Sequence, residues 1–574
     1  MNKPIIEFRD FSFQYRSQKS PTLNNINLSI YPGEKILIVG PSGSGKSTLG
    51  HCLNGLIPFS YPGEVKGTLT INDVDVSSND IFTASKSVGT VLQDADSQFV
   101  GLNVGEDIAF ALENDNVSLQ QMHDKVNKIA KIVDMDTLLD RSPYELSGGQ
   151  KQRACLAGVM VLDTPILLFD EPLANLDPAT GKIAIELIDE IAQDKTKTVI
   201  IIEHRLEDVL HRHVDRIILI NEGTVLADSR PNELLKSNLL EANGIRLPLY
   251  VSALKYAGVD LNQVELLEKP YEYRLNDQQK KMCQTWYHQQ SKKEHANNEN
   301  TILKLDDVCF SYDGIKNNVD HISLDIHANE MISIVGKNGA GKSTLSKCIV
   351  GFEKIDSGAI YFDGQDIKDW SIKEKGQVIG YVLQNPNQMI SKTMIYDEVA
   401  LGLVQLGLDE ATIKERVYET LKICGLYAYR NWPISALSYG QKKRVTIASI
   451  LALRPKVLIL DEPTAGQDYH HYSDIMGFLK ELNNQGITIV LITHDMHLML
   501  EYTPRCIVIT DGKILGDTKS SIVLSDQALI EKAYLKQTSL YGLAAQLNDV
   551  DPIDFIDTFI DFEEENGQGE THEN

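Results

Sequence analysis

The feature that most constrains this chain is that it says nearly everything twice. "GPSGSGKST" (40–48) returns as "GKNGAGKST" (336–344), and "VLQDADSQ" (91–98) returns as "VLQNPNQ" (382–388). "LSGGQKQR" (146–153) returns as "LSYGQKKR" (437–444), "ILLFDEP" (166–172) as "LILDEP" (458–463), and "IIIEH" (200–204) as "VLITH" (490–494). The order is kept and the spacing barely changes: 296 residues separate Lys46 from Lys342, 291 separate Asp170 from Asp461, and 290 separate His204 from His494. A period this long is not that of a solenoid. It predicts two domains of one fold in tandem.

Each copy reads as α/β. "EKILIVG" and "EMISIVG" are apolar runs that end at a glycine loop and continue into helix-compatible sequence. "TPILLFDE" and "TVIIIEH" are near-continuous apolar runs, the pattern of parallel strands covered on both faces. The expected boundaries are 1–235 for the first domain, 236–300 for an interdomain segment and linker, 301–525 for the second domain, and 526–574 for a C-terminal segment with an acidic tail. Within the interdomain segment, the stretch from Leu247 to Asp277 reads as partly helical and ordered. "HQQSKKEHANNENT" reads as a polar, flexible linker. Residues 549–574 hold ten acids and no Lys or Arg. They read as a solvated acidic end, or else "FIDTFIDF" within them is an amphipathic docking segment.

Composition narrows the function. Of 574 residues 42% are apolar, enough to bury substantial cores. The formal charge of −25 argues against nucleic acid as a partner, because phosphate backbones attract basic surfaces. Seven scattered cysteines form no CxxC pair, which excludes zinc and iron–sulfur spacings and fits reduced thiols. No apolar run approaches the ~18 residues of a membrane span, and the start lacks an apolar signal core. A membrane role is therefore expected to need partner subunits.

The repeated motifs carry the chemistry. Gly40, Pro41, Ser42, Gly43, Ser44, Gly45, Lys46, Ser47 and Thr48 form a phosphate-binding loop, and Gly336, Lys337, Asn338, Gly339, Ala340, Gly341, Lys342, Ser343 and Thr344 form a second. Glycines let backbone N–H groups turn inward around phosphates, and the following helix start adds its positive end. Lys46 and Lys342 are expected on β- and γ-phosphate oxygens, with the hydroxyls of Ser47 and Ser343 on Mg²⁺. A glycine-rich turn with an exposed lysine explains one such match, not two that each follow an apolar strand. Asp170 and Asp461 end apolar strands and are candidates to hold Mg²⁺ through water. Glu171 and Glu462 are candidate general bases. Gln93 and Gln384 are candidates to orient water or touch Mg²⁺, and His204 and His494 to donate to the γ-phosphate. Tyr15 and Tyr312 are candidate adenine-stacking residues, or ordinary core or surface tyrosines.

P-loop, glutamine, "LSGGQ", a strand ending in Asp-Glu, and histidine, in this order, closely resemble the nucleotide-binding domain of ABC ATPases over about 1–230 and 301–520. The resemblance implies a P-loop NTPase fold in each half, with a mainly parallel sheet core, a helical subdomain and an N-terminal antiparallel β subdomain. It implies ATP and Mg²⁺, and an intramolecular pairing of the two halves. One composite site then adds Ser438, Gly440 and Gln441 to the P-loop of Lys46, and the other adds Ser147, Gly149 and Gln150 to that of Lys342. "VLQDADSQFVGLNVGEDIAFALEN" further resembles the energy-coupling-factor (ECF) importers of vitamins and metals, where Asp96 falls on an acidic position that receives an arginine from the transmembrane coupling subunit. Asn387 takes that place in the second copy, and Ala95 stands where the pattern has proline. The implied partners are that coupling subunit and a separate substrate-binding membrane subunit. The implied location is peripheral, on the cytoplasmic face of the cell membrane. The alternatives are a fused sugar-importer ATPase, in which the second P-loop is often degraded, and a soluble ABC-F-like translation factor, whose interdomain arm is basic. Here the second P-loop is intact, and 246–300 holds eight Lys/Arg against seven Asp/Glu. Tyr439 replaces the first signature glycine, which allows a working site only if its φ is negative or its ring points away from the nucleotide.

Overall fold

The computed structural model describes residues 3–78, 80–93, 95–174, 176–291, 300–465 and 467–566. The chain forms two compact units. One is Met1–Trp286 with Asp468–His470 and Gln546–Asn548, and the other is Tyr287–Gln467 with His471–Ala545 and Asp549–Asn574.

In the first unit β1 (Ile6–Tyr15), β2 (Leu23–Ile30), β4 (Gly63–Ile71) and β5 (Val74–Asp75) make an antiparallel sheet in the order β2-β1-β4-β5. A second sheet runs β10-β9-β3-β8-β7-β6, from β3 (Lys35–Val39), β6 (Val88–Val91), β7 (Ile166–Asp170), β8 (Thr198–Ile202), β9 (Arg216–Asn221) and β10 (Thr224–Ser229). Its pairs are parallel except the edge hairpin β9–β10. β3 and β8 are buried at every position, which is why their sequences show no polar alternation. The helix Lys46–Leu53 lies between the sheets: Leu49, Cys52 and Leu53 share one core with Phe8 and Phe13 of β1 and Ile36 and Ile38 of β3. That packing fixes where the P-loop ends. Helices Val104–Asn114, Leu119–Ile132 and Gly148–Met160 build the helical region.

The second unit repeats the plan. β11 (Thr301–Phe310), β12 (Val319–His327), β14 (Ser357–Phe362) and β15 (Gln365–Asp366) form the antiparallel sheet. The other sheet runs β16-β17-β18-β13-β19-β20, from β13 (Met331–Val335), β16 (Ile379–Val382), β17 (Val457–Asp461), β18 (Thr488–Ile492), β19 (Arg505–Thr510) and β20 (Lys513–Lys519). The expected α/β fold, with antiparallel β and helical additions in each half, is what forms.

Residues after 235 extend the first unit. The expected boundary falls inside the helix Pro231–Lys236, and the chain continues through helices Leu249–Tyr256 and Asp277–Gln289. Tyr250 and Tyr273 stack there with centroids 4.7 Å apart, both almost wholly buried. Residues 292–299 of the expected linker, and 567–574 of the acidic tail, lie outside the described residues.

The solvated-tail expectation is corrected through Asn566. Pro552–Asn566 is a helix whose Phe555, Ile556 and Phe559 are buried in the second unit against helices Met496–Tyr502, Ser520–Val523 and Ser539–Ala544. Lys519 and Lys480 pair with Asp557 and Glu564 at 3.1 Å. The docking reading of "FIDTFIDF" is the one realised, and its partner is this chain. The high acid count masked a three- to four-residue spacing of Phe and Ile, which is the period of a helix face.

Candidate functional site

The P-loop begins as β3 ends. A Cβ on Gly40 would sit 2.1 Å from the Ile220 carbonyl oxygen, and one on Gly336 would sit 1.9 Å from that of Ile509. Glycine is therefore enforced by backbone approach at these positions. Gly45 and Gly341 precede their helices at φ of 104° and 103°, and no side chain caps either helix start. The first N–H groups of Lys46–Leu53 and Lys342–Val350 thus lack a capping acceptor, as an anion cradle requires. Lys46 Nζ donates to the carbonyls of Gly40 (2.7 Å) and Pro41 (2.9 Å), and Lys342 Nζ donates to those of Gly336 (2.7 Å) and Lys337 (2.9 Å). Burial lowers the pKa of Lys46, so an anionic ligand beside it stabilises its charge. Ser44 Oγ is buried in the loop with no hydrogen-bond partner.

The acids come next. β7 delivers Asp170 and β17 delivers Asp461 at their C-terminal ends. The following glutamates turn left-handed: Glu171 has φ 49° and Glu462 has φ 48°. Their N–H groups reach across to the ends of the neighbouring strands, Ile202 O and Ile492 O, each at 2.9 Å. Such a conformation costs a non-glycine residue about 1–3 kcal/mol, and its recurrence at the same place in both halves marks a functional constraint. Tyr381 donates to Asp461 at 3.2 Å, and Ser343 hydrogen-bonds the same carboxylate. Burial raises the pKa of both aspartates.

The two glutamates have different companions. Gln93 Nε2 donates to Glu171 Oε2 at 2.5 Å, and His204 Nδ1 stands 4.0 Å from Oε1. In the second half His494 Nδ1 is 2.6 Å from Glu462 Oε1, while Gln384 is exposed. Burial, then Glu203 and Asp170, push the Glu171 carboxyl up to about 7. Burial lowers the pKa of His204.

Each signature segment starts a helix. Ser147 and Ser438 are N-caps accepting from the N–H groups of Gln150 and Gln441, whose side chains return a bond to the serine N–H groups at 2.9 and 3.0 Å. These capping boxes fix the serine hydroxyls and expose the helix starts that hold Gly149 and Gly440. Tyr439 is the first residue of its helix, not a left-handed position, and its half-exposed ring lies 5.6 Å from Lys443 Nζ. Of the adenine candidates, Tyr15 hydrogen-bonds Thr48 of the P-loop helix (3.2 Å) and Tyr312 is 55% exposed beside Phe310. Asp96 pairs with Lys151 of the signature helix at 2.6 Å.

Two residues escaped the sequence reading. Glu203 is wholly buried directly after β8, an acid closing the apolar run "TVIII". Lys443 is buried and donates to the carbonyls of Glu462 (3.0 Å) and Pro463 (2.6 Å), with burial pushing its pKa down to about 8. The signals were present: an acid at the end of a buried strand, and a lysine four residues after an aromatic on a helix.

Two P-loops, each facing an aspartate–glutamate pair at the ends of parallel strands and accompanied by a signature helix, define a nucleotide-hydrolysing protein of the P-loop class. The family described as "ABC transporter" matches residues 23–174 and 319–465. A family described as "ATP-binding cassette cobalt transporter" matches 237–310. An ABC transporter ATP-binding protein of Clostridium perfringens is 60% identical over 98% of this chain and 99% of its own length. One of Enterococcus faecalis is 56% identical over 98% and 99%. A solved structure of cbiO1 from Clostridium perfringens, described as part of the ABC transporter complex cbiONQ, is 37% identical, covers 41% of this chain and 94% of its own, and has a TM-score of 0.38. The chain belongs to the ABC transporter ATP-binding proteins, and it is an ATPase coupled to transport. No described helix is long and apolar enough to cross a membrane.

Proposed function

We propose that this chain is the duplicated ATPase of an ECF-type importer for a vitamin, a vitamin precursor or a metal ion. The observation that carries this is the match of 237–310, the segment joining the two halves, to the family described as an ATP-binding cassette cobalt transporter. The stretch "VLQDADSQFVGLNVGEDIAFALEN", with Asp96 at its acidic position, supports it. The chain then works on the cytoplasmic face of the membrane, held by a transmembrane coupling subunit, and a separate membrane subunit selects the cargo.

In this reading Lys46 and Lys342 bind phosphate oxygens, and the uncapped helix starts behind them add N–H donors. The oxygen donors of Ser47, Ser343, Asp170 and Asp461, with Gln93 and Gln384, suit a hard cation such as Mg²⁺. Mg²⁺ supplies charge neutralisation on the phosphates when bound. Glu171 and Glu462 take a proton from the attacking water, Glu171 held by Gln93 and Glu462 by His494, and His204 and His494 donate to the γ-phosphate. ATP favours one conformation of the ATPase and hydrolysis products another, so the cycle is a population shift passed on through the segments after Gln93 and Gln384.

Labelled uptake tests the class. Cells lacking this chain are given a panel of vitamins, vitamin precursors, divalent metals and sugars. Loss of uptake of one vitamin, precursor or metal, restored by the wild-type chain and not by a Glu171→Gln/Glu462→Gln variant, is the expected outcome. Loss confined to a sugar contradicts it.

A further inference from the structure

The two halves differ at a buried acid beside the catalytic glutamate. After β8 the first half has Glu203, where the second, after β18, has Thr493. Both are wholly buried. Glu203 clamps two loops at once: Oε1 accepts from the Leu173 N–H (3.2 Å), two residues beyond Glu171, and Oε2 accepts from the N–H groups of His204 (2.7 Å) and Arg205 (3.1 Å). Oε2 also lies 3.6 Å from His204 Nδ1, nearer than Glu171 Oε1 at 4.0 Å. Thr493 makes a smaller bond, accepting from Asp495 N–H at 2.9 Å. His494 Nδ1 then closes on Glu462 at 2.6 Å.

We infer that Glu203 is a positioning residue that makes the two catalytic sets non-equivalent: it competes for His204 and holds that histidine off Glu171. In the first half the glutamate is oriented by Gln93 instead, at 2.5 Å. The consequence of Glu203 is slower turnover in the first set at unchanged ATP affinity, because it acts on the orientation of the base and not on the phosphate cradle. The inference rests on the reading of Glu171 and Glu462 as general bases.

The test exchanges the two residues. Glu203→Thr is made with Glu462→Gln, so that turnover reports the first set. Thr493→Glu is made with Glu171→Gln, so that it reports the second. Expected are a kcat raised about tenfold in the first case and lowered about tenfold in the second, the change one charge-assisted hydrogen bond carries, with KM for ATP within about twofold in both. Glu203→Gln keeps the shape of the clamp without the charge and gives an intermediate kcat. An unchanged kcat in both exchanges, whatever happens to Tm, overturns the inference. If Glu203→Thr fails to fold, the Thr493→Glu exchange still decides. If Glu171→Gln and Glu462→Gln alone each leave ATPase activity intact, the assignment of the bases fails first and is separately visible.

Discussion

At the scale of single residues, Glu171 combines a left-handed backbone with a carboxyl that burial lifts from 4.5 to about 7. Between those pH values the folded chain keeps a proton that the unfolded chain has lost. Stability therefore falls as pH rises through that window and stays low above it. In the nucleotide-free protein, Glu171→Gln is expected to raise the urea midpoint relative to wild type at pH 8 and to do so far less at pH 5; an equal effect at both contradicts the shift. For catalysis, Glu171→Gln with Glu462→Gln is expected to lower ATPase turnover by about 10²–10⁴-fold, with each single variant retaining part of it. Tyr439 is settled sterically: at the start of a helix it needs no glycine, and its ring partners Lys443. Tyr439→Gly is expected to raise ATPase turnover, and unchanged kinetics would remove the tyrosine as a source of asymmetry. The motif residues were legible because their chemistry demands fixed types at fixed spacing. Glu203 offered only the weaker signal of an acid closing a buried strand, because its partners are backbone N–H groups that leave no partner motif in the sequence.

At the scale of elements, the strands that carry the acids were readable as continuous apolar runs, and the helix after each P-loop followed from the glycine loop. The C-terminal helix was half legible. Its acids suggested solvent, yet Phe555 and Phe559 are among the largest fully buried side chains. Phe555→Ala or Phe559→Ala is expected to cost about 3–5 kcal/mol in denaturant unfolding of the transition that reports the second unit. A change below about 0.5 kcal/mol, the usual size for a surface site, would mean that the helix does not pack as described. The segment after 235 was legible as ordered but not as part of the first unit, since side chains such as Tyr250 and Tyr273 find their partners within 236–286 only once the chain folds.

At the scale of the whole molecule, duplication was visible from the sequence because five motifs recur in order. The copies keep the P-loop lysine and serine, the aspartate–glutamate pair and the histidine, and differ around them at Ser44/Ala340, Gly148/Tyr439 and Glu203/Thr493. No helix among the described residues is long and apolar enough to cross a membrane, and ABC ATPase subunits work with transmembrane components. The most direct measurement is purification of the tagged, full-length chain from solubilised membranes, followed by identification of its companions and assay of ATPase activity. Stoichiometric membrane-embedded subunits and an ATPase abolished by Glu171→Gln with Glu462→Gln are expected. Recovery of the chain with ribosomes, or alone with no membrane subunit, would contradict this expectation.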